Sequence, residues 1–199
     1  MEDYLDVLRT APEELRLLRQ DLLIGVTAFF RDTDAFTALA RDVVPKLTAA
    51  AEDGQNLRIW IPGCSTGEEA FSVAMLFAEH LDSVHRPVTF KIFATDVDSQ
   101  ALAFASEGTY HQSIEASVGR VRLQRFFSRL DNSYRIARRI RESVVFAPHN
   151  LLKDPPFTRM DLISCRNLLI YLKPEIQQNV LSLFHFALNP KGFLMLGPS

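Results

Sequence analysis

Short apolar runs alternate with longer helical patterns from about residue 57 to the end of the chain. The helical patterns cover Glu68–Leu81, residues 98–107 and Lys173–Ala187. Around them lie five runs with the length and composition of buried strands: Leu57–Ile61, Val88–Ala94, Ser143–Ala147, Asp161–Ser164 and Gly192–Leu196. Because alternating strands and helices imply right-handed crossovers, the sequence predicts an α/β fold with a parallel sheet.

The first 50 residues have a mostly helical pattern. Leucines recur at helical spacing near the N-terminus, and a second helical pattern covers residues 33–50, with Thr33 or Asp34 as its N-cap. We therefore predict an N-terminal helical segment over residues 1–50. An α/β domain over residues 51–199 is expected to follow it.

A segment at residues 110–142 interrupts the alternation of strands and helices. Its pattern predicts a helix over Val118–Leu130, a turn, and extended segments over Tyr134–Ala137 and Ile140–Phe146. We interpret the segment as a small inserted subdomain, part helix and part β-hairpin. Residues 120–141 hold eight arginines and one aspartate, a net charge of +7, whereas the whole chain has a net charge of −2. This contrast predicts a basic patch on an acidic body.

The composition is that of a folded globular protein, with 47% hydrophobic and 23% charged residues. No apolar run reaches the roughly 18 residues that a membrane helix needs, and the acidic N-terminus does not have the pattern of a secretory signal. Two cysteines, Cys64 and Cys165, are too few for a disulfide scaffold. We therefore expect a cytoplasmic protein without membrane insertion, and the acidic net charge disfavours nucleic acid as a partner.

A glycine-containing loop, Gly63–Gly67, follows the first predicted strand and leads into Glu68 and Glu69. Parallel sheets bind ligands at the carboxyl ends of their strands, so this loop is a candidate binding site. Its spacing matches neither phosphate-binding motif, G-x-G-x-x-G or G-x-x-x-x-G-K-[ST]. The two carboxylates instead suit a ligand with an ammonium group. A capping box between Thr66 and Glu69 is the structural alternative.

Polar residues also follow the second and third predicted strands. Asp96 can accept hydrogen bonds from both ribose hydroxyls of an adenosine-type ligand, whereas Asp98 suits the N-cap of the next helix. Asn150 can bind the edge of an adenine through its amide, although asparagine in a loop is also a common turn residue. Asp96 and the glycine loop together predict a site for an adenosine-containing ligand.

Arg166, Asn167 and Tyr171 come directly after the fourth predicted strand. If a helix starts there, Asn167 and Tyr171 are four residues apart and share a face that points to the expected cleft. A tyrosine that merely satisfies its hydroxyl in the core is the alternative. The histidines and cysteines have no metal-ligand spacing, so no metal site is expected.

Five motifs, in this order along the chain, resemble those of the CheR chemotaxis methyltransferases. They are Thr27–Arg31, Gly63–Glu69, Ala94–Asp98, Phe146–Leu151 and Cys165–Tyr171. The segments Phe146–Leu152 and Asp161–Tyr171 are most similar to the CheR region of CheB/CheR fusion proteins that carry PAS domains. The resemblance implies a Rossmann-like methyltransferase fold, S-adenosylmethionine (SAM) as methyl donor and S-adenosylhomocysteine (SAH) as product. It also implies a glutamate side chain of a chemoreceptor as the acceptor, and a role in signal transduction.

The resemblance also implies site residues, position by position. The expected cofactor-binding residues are Gly25, Thr27, Arg31, Gly63, Glu69, Asp96, Asn150, Leu151, Arg166 and Asn167. Arg31 and Tyr171 would lie nearest the transferred methyl group, as the catalytic residues. Glu69 suits the ammonium group of SAM, Asp96 suits its ribose, and Arg31 or Arg166 suits its carboxylate. The acceptor carboxylate is already ionised at neutral pH, so no general base is expected.

The inserted subdomain corresponds to the β-subdomain with which the family contacts its receptor. The resemblance therefore implies that Arg135, Arg138, Arg139 and Arg141 dock acidic cytoplasmic helices of chemoreceptors. A solvated basic hairpin without a partner is the alternative.

The chain departs from the family in two ways that affect the expected function. Its N-terminal helical domain is reduced to one or two helices, and its sheet stops two strands short of a complete methyltransferase sheet, which predicts a C-terminally truncated fold. One hypothesis is an active protein-glutamate O-methyltransferase. Another is a SAM or SAH sensor, or a docking module, within a signalling fusion protein. A nicotinamide dehydrogenase is disfavoured by the missing glycine motif. A nucleic-acid methyltransferase is disfavoured by the acidic net charge.

Overall fold

The structure is a computed structural model that describes Ala11 and residues 27–197. Its first helices are α1, Thr33–Ala38, and α2, Val44–Ala50, joined by a π-helical segment. The helix predicted over residues 33–50 is therefore present, but its N-cap is Asp32, whose side chain does not cap the helix. The helical pattern before residue 24 lies outside the described residues.

Five parallel strands form the central sheet. Numbered in chain order, they are β1 Asn56–Pro62, β2 Thr89–Asp96, β6 Val144–Pro148, β7 Met160–Cys165 and β8 Leu188–Leu196. They are arranged in the order β6-β2-β1-β7-β8, and every pair is parallel. The five predicted strands are all present, and the α/β fold is confirmed.

Helices cover both faces of this sheet. They are α3 Glu68–Val84, α4 Ser99–Glu107 and α8 Pro174–Ala187. Successive residues of β1 point to opposite faces, so Ile59 belongs to a core cluster with α1, α2 and α3, whereas Trp60 belongs to a second cluster with Phe184 of α8. Burial on both faces explains why Ile59, Trp60 and Ile61 of β1 form a continuous apolar run instead of an alternating one. None of the described helices is long and apolar enough to cross a membrane.

The inserted subdomain is a three-stranded antiparallel sheet with short helices. Its strands are β3 Thr109–His111, β4 Phe127–Leu130 and β5 Ser133–Ile136, in the order β3-β5-β4. Its helices are α5 Glu115–Val118, α6 Arg120–Phe126 and α7 Arg138–Arg141. A helix-plus-hairpin insertion was predicted, and the turn at Asp131-Asn132 joins the hairpin strands as expected.

Two element boundaries of the insertion were predicted wrongly. The helix over Val118–Leu130 ends at Phe126, because Phe127 starts β4 and pairs with Ile136. The extended segment over Ile140–Phe146 is instead α7 followed by β6. In the first case, strand pairing with residues elsewhere in the chain overrides a local helical pattern.

Gly67, at the start of α3, has a φ of 91°, and a Cβ there would lie 2.9 Å from Cβ of Ala105 and 3.1 Å from Cζ of Phe146. We expect Gly67→Ala to lower the free energy of unfolding by about 2–3 kcal/mol, because it adds overpacking to an unfavourable backbone conformation. Denaturant titration measures this loss. Gly54→Ala is the matched control, since Gly54 has a φ of 82° but no atom within 4 Å of its Cβ position. Equal losses in the two variants would contradict the packing argument.

Candidate functional site

A cavity of about 490 Å³ opens at the carboxyl ends of the parallel strands, within the roughly 300–1,000 Å³ typical of small-molecule sites. Nine of the ten predicted cofactor-binding residues line it: Thr27, Arg31, Gly63, Glu69, Asp96, Asn150, Leu151, Arg166 and Asn167. The tenth, Gly25, lies outside the described residues. Tyr171 is also in the lining, with 58% of its surface exposed. Residues from five separate loops thus meet in one place.

The glycine loop after β1 wraps tightly around the end of β2. Gly63, with a φ of 72°, donates its N–H to the carbonyl of Thr95 at 2.7 Å. Ser65 donates its N–H to Oδ2 of Asp96 at 2.8 Å. The loop backbone therefore fixes the carboxylate of the neighbouring strand.

The capping box between Thr66 and Glu69, the structural alternative for this loop, is not formed. Thr66 Oγ1 instead donates to Oε2 of Glu68 at 2.7 Å, and Gly67 is the N-cap of α3. Because Thr66 is occupied by Glu68, the carboxylate of Glu69 is free to turn toward β7. The two neighbouring glutamates consequently have different surroundings.

Glu69 is held against β7 by Ser164, whose Oγ donates to Oε1 of Glu69 at 2.6 Å. Burial raises the pKa of Glu69 to about 7, although the Ser164 hydrogen bond and the guanidinium groups of Arg166 and Arg31 act in the opposite direction. Burial makes ionisation of this carboxyl group unfavourable, and a cation bound beside it stabilises the ionised form. The Glu69 position therefore favours a ligand with a positive group.

Both carboxylate oxygens of Asp96 accept a backbone hydrogen bond. Oδ2 accepts from Ser65, and Oδ1 accepts from the N–H of Asp98 at 3.0 Å. Each oxygen keeps a free lone pair, so the group can still accept two hydrogen bonds from a vicinal diol. Asp98 caps α4 as predicted, accepting from the N–H groups of Gln100 and Ala101.

Arg166 is a buried cation at the end of β7, with 1% of its side chain exposed. Its Nη2 donates to Oδ2 of Asp32 at 2.5 Å, and its guanidinium carbon lies 5.1 Å from the ring centroid of Phe36. Among the residues that the structure describes, its Nε has no hydrogen-bond partner. A buried donor without an acceptor is costly, so this nitrogen favours an anionic ligand group.

Asn167 and Tyr171 do not share a helical face as predicted. Asn167 has a φ of 56°, a left-handed conformation that asparagine tolerates, and only a 3₁₀ turn over Leu169–Tyr171 follows. The two side chains nevertheless both line the cavity. The proximity was thus predicted, while the helix proposed to cause it was wrong.

Asn150 is a turn residue that also lines the cavity. Its Oδ1 accepts from the N–H of Leu152 at 3.0 Å, and its own N–H donates to Asp154 Oδ2 at 2.7 Å. Its Nδ2 remains available as a donor, so both hypotheses for this residue are compatible with the geometry. His149 beside it also lines the cavity and was not predicted, because a lone histidine in a loop carries no local signal.

None of the four predicted docking arginines lines the cavity. Arg139 pairs with Asp82 of α3, Arg138 pairs with Glu142, and Arg135 donates to Thr109 Oγ1 at 3.1 Å. Arg141 has no ion pair with any residue in the described region. Arg139 is therefore partly engaged within the fold, which the sequence did not indicate, whereas Arg141 is available to a partner.

Residues 25–199 match the family model for the CheR methyltransferase SAM-binding domain. The chain belongs to the CheR family. It is 30% identical to a chemotaxis protein methyltransferase of Borreliella burgdorferi, over 99% of this chain and 72% of that protein. It is 34% identical to chemotaxis protein methyltransferase 2 of Vibrio cholerae, over 94% of this chain and 66% of that protein.

This CheR domain also matches a much longer protein. It is 46% identical to an uncharacterised 104.1 kDa protein of Rhodobacter capsulatus, over its full length but only 21% of that protein. Among solved structures, the DszA carbon methyltransferase has a TM-score of 0.52 and 18% identity, over 81% of this chain and 34% of that chain. That likeness supports the Rossmann-like methyltransferase fold.

SAM is the cofactor of this CheR domain, and the groups in the cavity fit it. SAM has an ammonium group, a carboxylate and a ribose diol. The raised pKa of Glu69 favours a cation, the unpartnered Nε of Arg166 favours an anion, and the fixed carboxylate of Asp96 favours a diol. The cavity thus offers a complementary group for each of these three parts of the cofactor.

Proposed function

We propose that this domain transfers the methyl group of SAM to a glutamate side chain of a chemoreceptor-type protein, forming a methyl ester. The observation that carries the proposal is the cavity, in which Glu69, Asp96 and Arg166 lie together while Tyr171 stands at the mouth. Three groups suit the cofactor, and the exposed rim leaves room for a macromolecular acceptor. Family membership supports both assignments.

In the proposed complex, different residues of the cavity bind different parts of the cofactor. Glu69 accepts hydrogen bonds from its ammonium group, and Asp96 accepts from its ribose hydroxyls. Arg166 and Arg31 pair with its carboxylate. Asn150, with Leu151 beside it, contacts the adenine, while Thr27, Gly63 and Asn167 complete the walls. Gly25 is proposed to contribute a backbone contact.

The chemistry needs positioning more than acid–base groups. SAM supplies a methyl group on a sulfonium, whose leaving group is a neutral thioether. An acceptor carboxylate oxygen forms the new C–O bond as the C–S bond breaks, and the sulfur takes that bonding pair, so no proton moves. Arg31 and Tyr171 orient the acceptor in line with the methyl group. This division of labour agrees with a cavity lining that, among the described residues, holds one histidine, His149, and one cysteine, the buried Cys64.

The acceptor is proposed to be an acidic cytoplasmic receptor helix that also contacts the basic insertion. Arg141 is available for such a contact, and Arg135, Arg138 and Arg139 lie on the same subdomain. Opposite charges across such an interface increase association rates more than they increase intrinsic affinity. We further propose a cytoplasmic location and, in a longer protein, neighbouring CheB and PAS domains.

The test is methyl transfer from methyl-labelled SAM to cytoplasmic fragments of chemoreceptors, scored as base-labile label because an ester hydrolyses in base. Tyr171→Phe is expected to lower kcat about tenfold while changing the SAH dissociation constant less than about twofold, since its hydroxyl stands at the exposed rim. The reverse pattern would make Tyr171 a residue that only shapes the cavity. SAH binding without transfer to any fragment would favour the sensor hypothesis.

A further inference from the structure

The loop before α1 brings Arg31 to the cavity through a backbone that is unfavourable on its own. Phe30 has a φ of 53° and Asp32 has a φ of 60°. Left-handed conformations are uncommon for residues other than glycine, and least favourable for bulky ones such as Phe30. Contacts from the rest of the molecule must therefore hold this segment in place.

The inserted subdomain supplies part of those contacts. Phe29 packs edge-to-face on Tyr110 of β3 and Phe127 of β4, with ring centroids 4.9 and 5.7 Å apart. The guanidinium carbon of Arg122, in α6, lies 4.1 Å from the ring centroid of Phe30. Both aromatic side chains that precede Arg31 are thus packed against the subdomain that carries the basic patch.

Arg122 is itself fixed by α3. Its Nε and Nη2 donate to the two carboxylate oxygens of Glu79 at 2.8 and 3.0 Å. The backbone N–H of Phe30 donates to Oγ of Ser72, also in α3, at 3.0 Å. The Phe30 ring is therefore held by a planar guanidinium, while its backbone is held by α3. A lysine cannot reproduce a bidentate ion pair and a stacked ring together.

The other end of the same loop reaches the buried cation of the site. Asp32 accepts from Nη2 of Arg166, and Arg166 has its Nε unpartnered within the described residues. A shift of the Phe30 backbone would move Arg31 and Asp32 with it. Arg122 lies outside the cavity, yet its contact with Phe30 affects two cations of the cavity. They are Arg31 and, through Asp32, Arg166.

We propose that Arg122 is a positioning residue that clamps Phe30 and so sets the loop residues Arg31 and Asp32 for cofactor binding. The insertion then has a second role beside acceptor docking, because it completes the cofactor site. This inference rests on the cofactor site of the proposed function and is independent of the identity of the acceptor. It makes SAH affinity depend on a side chain that does not line the cavity.

Arg125 provides a matched control on the same helix. It pairs with Asp82 of α3 at 2.7 Å, and its guanidinium carbon lies 5.0 Å from the ring centroid of Phe126. It therefore has the same kinds of contact as Arg122 but does not touch the loop. A purely structural role of the α6–α3 ion pairs would affect both residues alike.

The experiment measures SAH binding by calorimetry, and melting temperature, for Arg122→Lys and Arg125→Lys of the whole chain. Arg122→Lys is expected to weaken SAH binding about fivefold, as expected for loss of one cation–π contact. Arg125→Lys is expected to leave it unchanged. In an Asp32→Asn background the Arg122→Lys effect should shrink to less than about twofold, since both act through one loop.

Equal weakening by the two lysine variants, or additive effects of Arg122→Lys and Asp32→Asn, would overturn the proposal. If Arg122→Lys does not fold, Phe30→Leu replaces it, with the same expected result. Coupling in SAH binding without any methyl transfer would support the positioning role and contradict the proposed function. Methyl transfer without coupling between Arg122→Lys and Asp32→Asn would support the proposed function and contradict the positioning role. A folded wild-type chain that does not bind SAH would overturn both.

Discussion

Replacing Asp96 with alanine is expected to weaken SAH binding about a hundredfold. Hydrogen bonds from a ribose diol to an ionised carboxylate are each worth roughly 1.5–3 kcal/mol, so the loss of two costs at least about 3 kcal/mol, slightly more than a hundredfold in the dissociation constant. The backbone N–H groups of Ser65 and Asp98 would lose their acceptor at the same time. The glycine loop would then be less well fixed, which adds to the loss.

Calorimetric titration with SAH measures this effect, and Asp161→Ala is its control. Asp161 is another carboxylate that accepts two hydrogen bonds, from the N–H of Arg58 and from Asn189 Nδ2, and it does not line the cavity. Its replacement is expected to lower the melting temperature and to leave SAH affinity within about twofold. An Asp96→Ala protein that binds SAH as tightly as the wild type would remove Asp96 from the site.

The sheet could be predicted from the sequence because its central strands are largely buried on both faces. Trp60 and Ile59 point to opposite cores, so β1 contains the continuous apolar run Ile59–Ile61, which stands out from the helices around it. Asp96 and the glycine loop could be placed for a related reason. Each follows a recognisable strand directly, and parallel strands bring their carboxyl ends to one edge.

The inserted subdomain could not be predicted at the same level of detail. Its strands have three or four residues, and they are specified by pairing between distant positions such as Tyr110 and Tyr134. A run such as Phe126-Phe127 satisfies a helix and a strand equally well. Only the partner strand decides where one ends and the other begins.

Partners of the site residues were missed for the same physical reason. Ser164 binds Glu69 across 95 positions of the sequence, and Asp32 pairs with Arg166 across 134. Neither contact follows from a local motif. The available sequence signal for Ser164 was its polar side chain inside the apolar run of β7. The available signal for Asp32 was its position next to Arg31.

Glu69 gives the second large expected effect, a pH-dependent affinity that depends on one carboxylate. Its pKa is raised to about 7 by burial, so at pH 6 most of the ligand-free protein has Glu69 protonated. An ammonium ligand needs the ionised form. SAH binding should therefore be about tenfold weaker at pH 6 than at pH 8, and binding at pH 6 should release a proton, detected as heats that differ between buffers.

Glu69→Gln should abolish this pH dependence and weaken binding at pH 8 about a hundredfold or more, because a buried cation loses its partner.

The stability of the ligand-free protein depends on pH with the opposite sign, because ionised Glu69 favours SAH binding but disfavours the fold. A carboxyl whose pKa is raised on folding stabilises the fold below its ordinary pKa, and that contribution is lost as pH rises through about 7. The ligand-free Glu69→Gln variant, in which glutamine keeps the Ser164 contact, should thus have a higher melting temperature than the wild type at pH 8. At pH 5 the two melting temperatures should be similar. A variant that binds SAH poorly yet melts lower at pH 8 would show that Glu69 is ionised at no cost without ligand. The SAH affinity would then still depend on Glu69 but would not differ between pH 6 and pH 8.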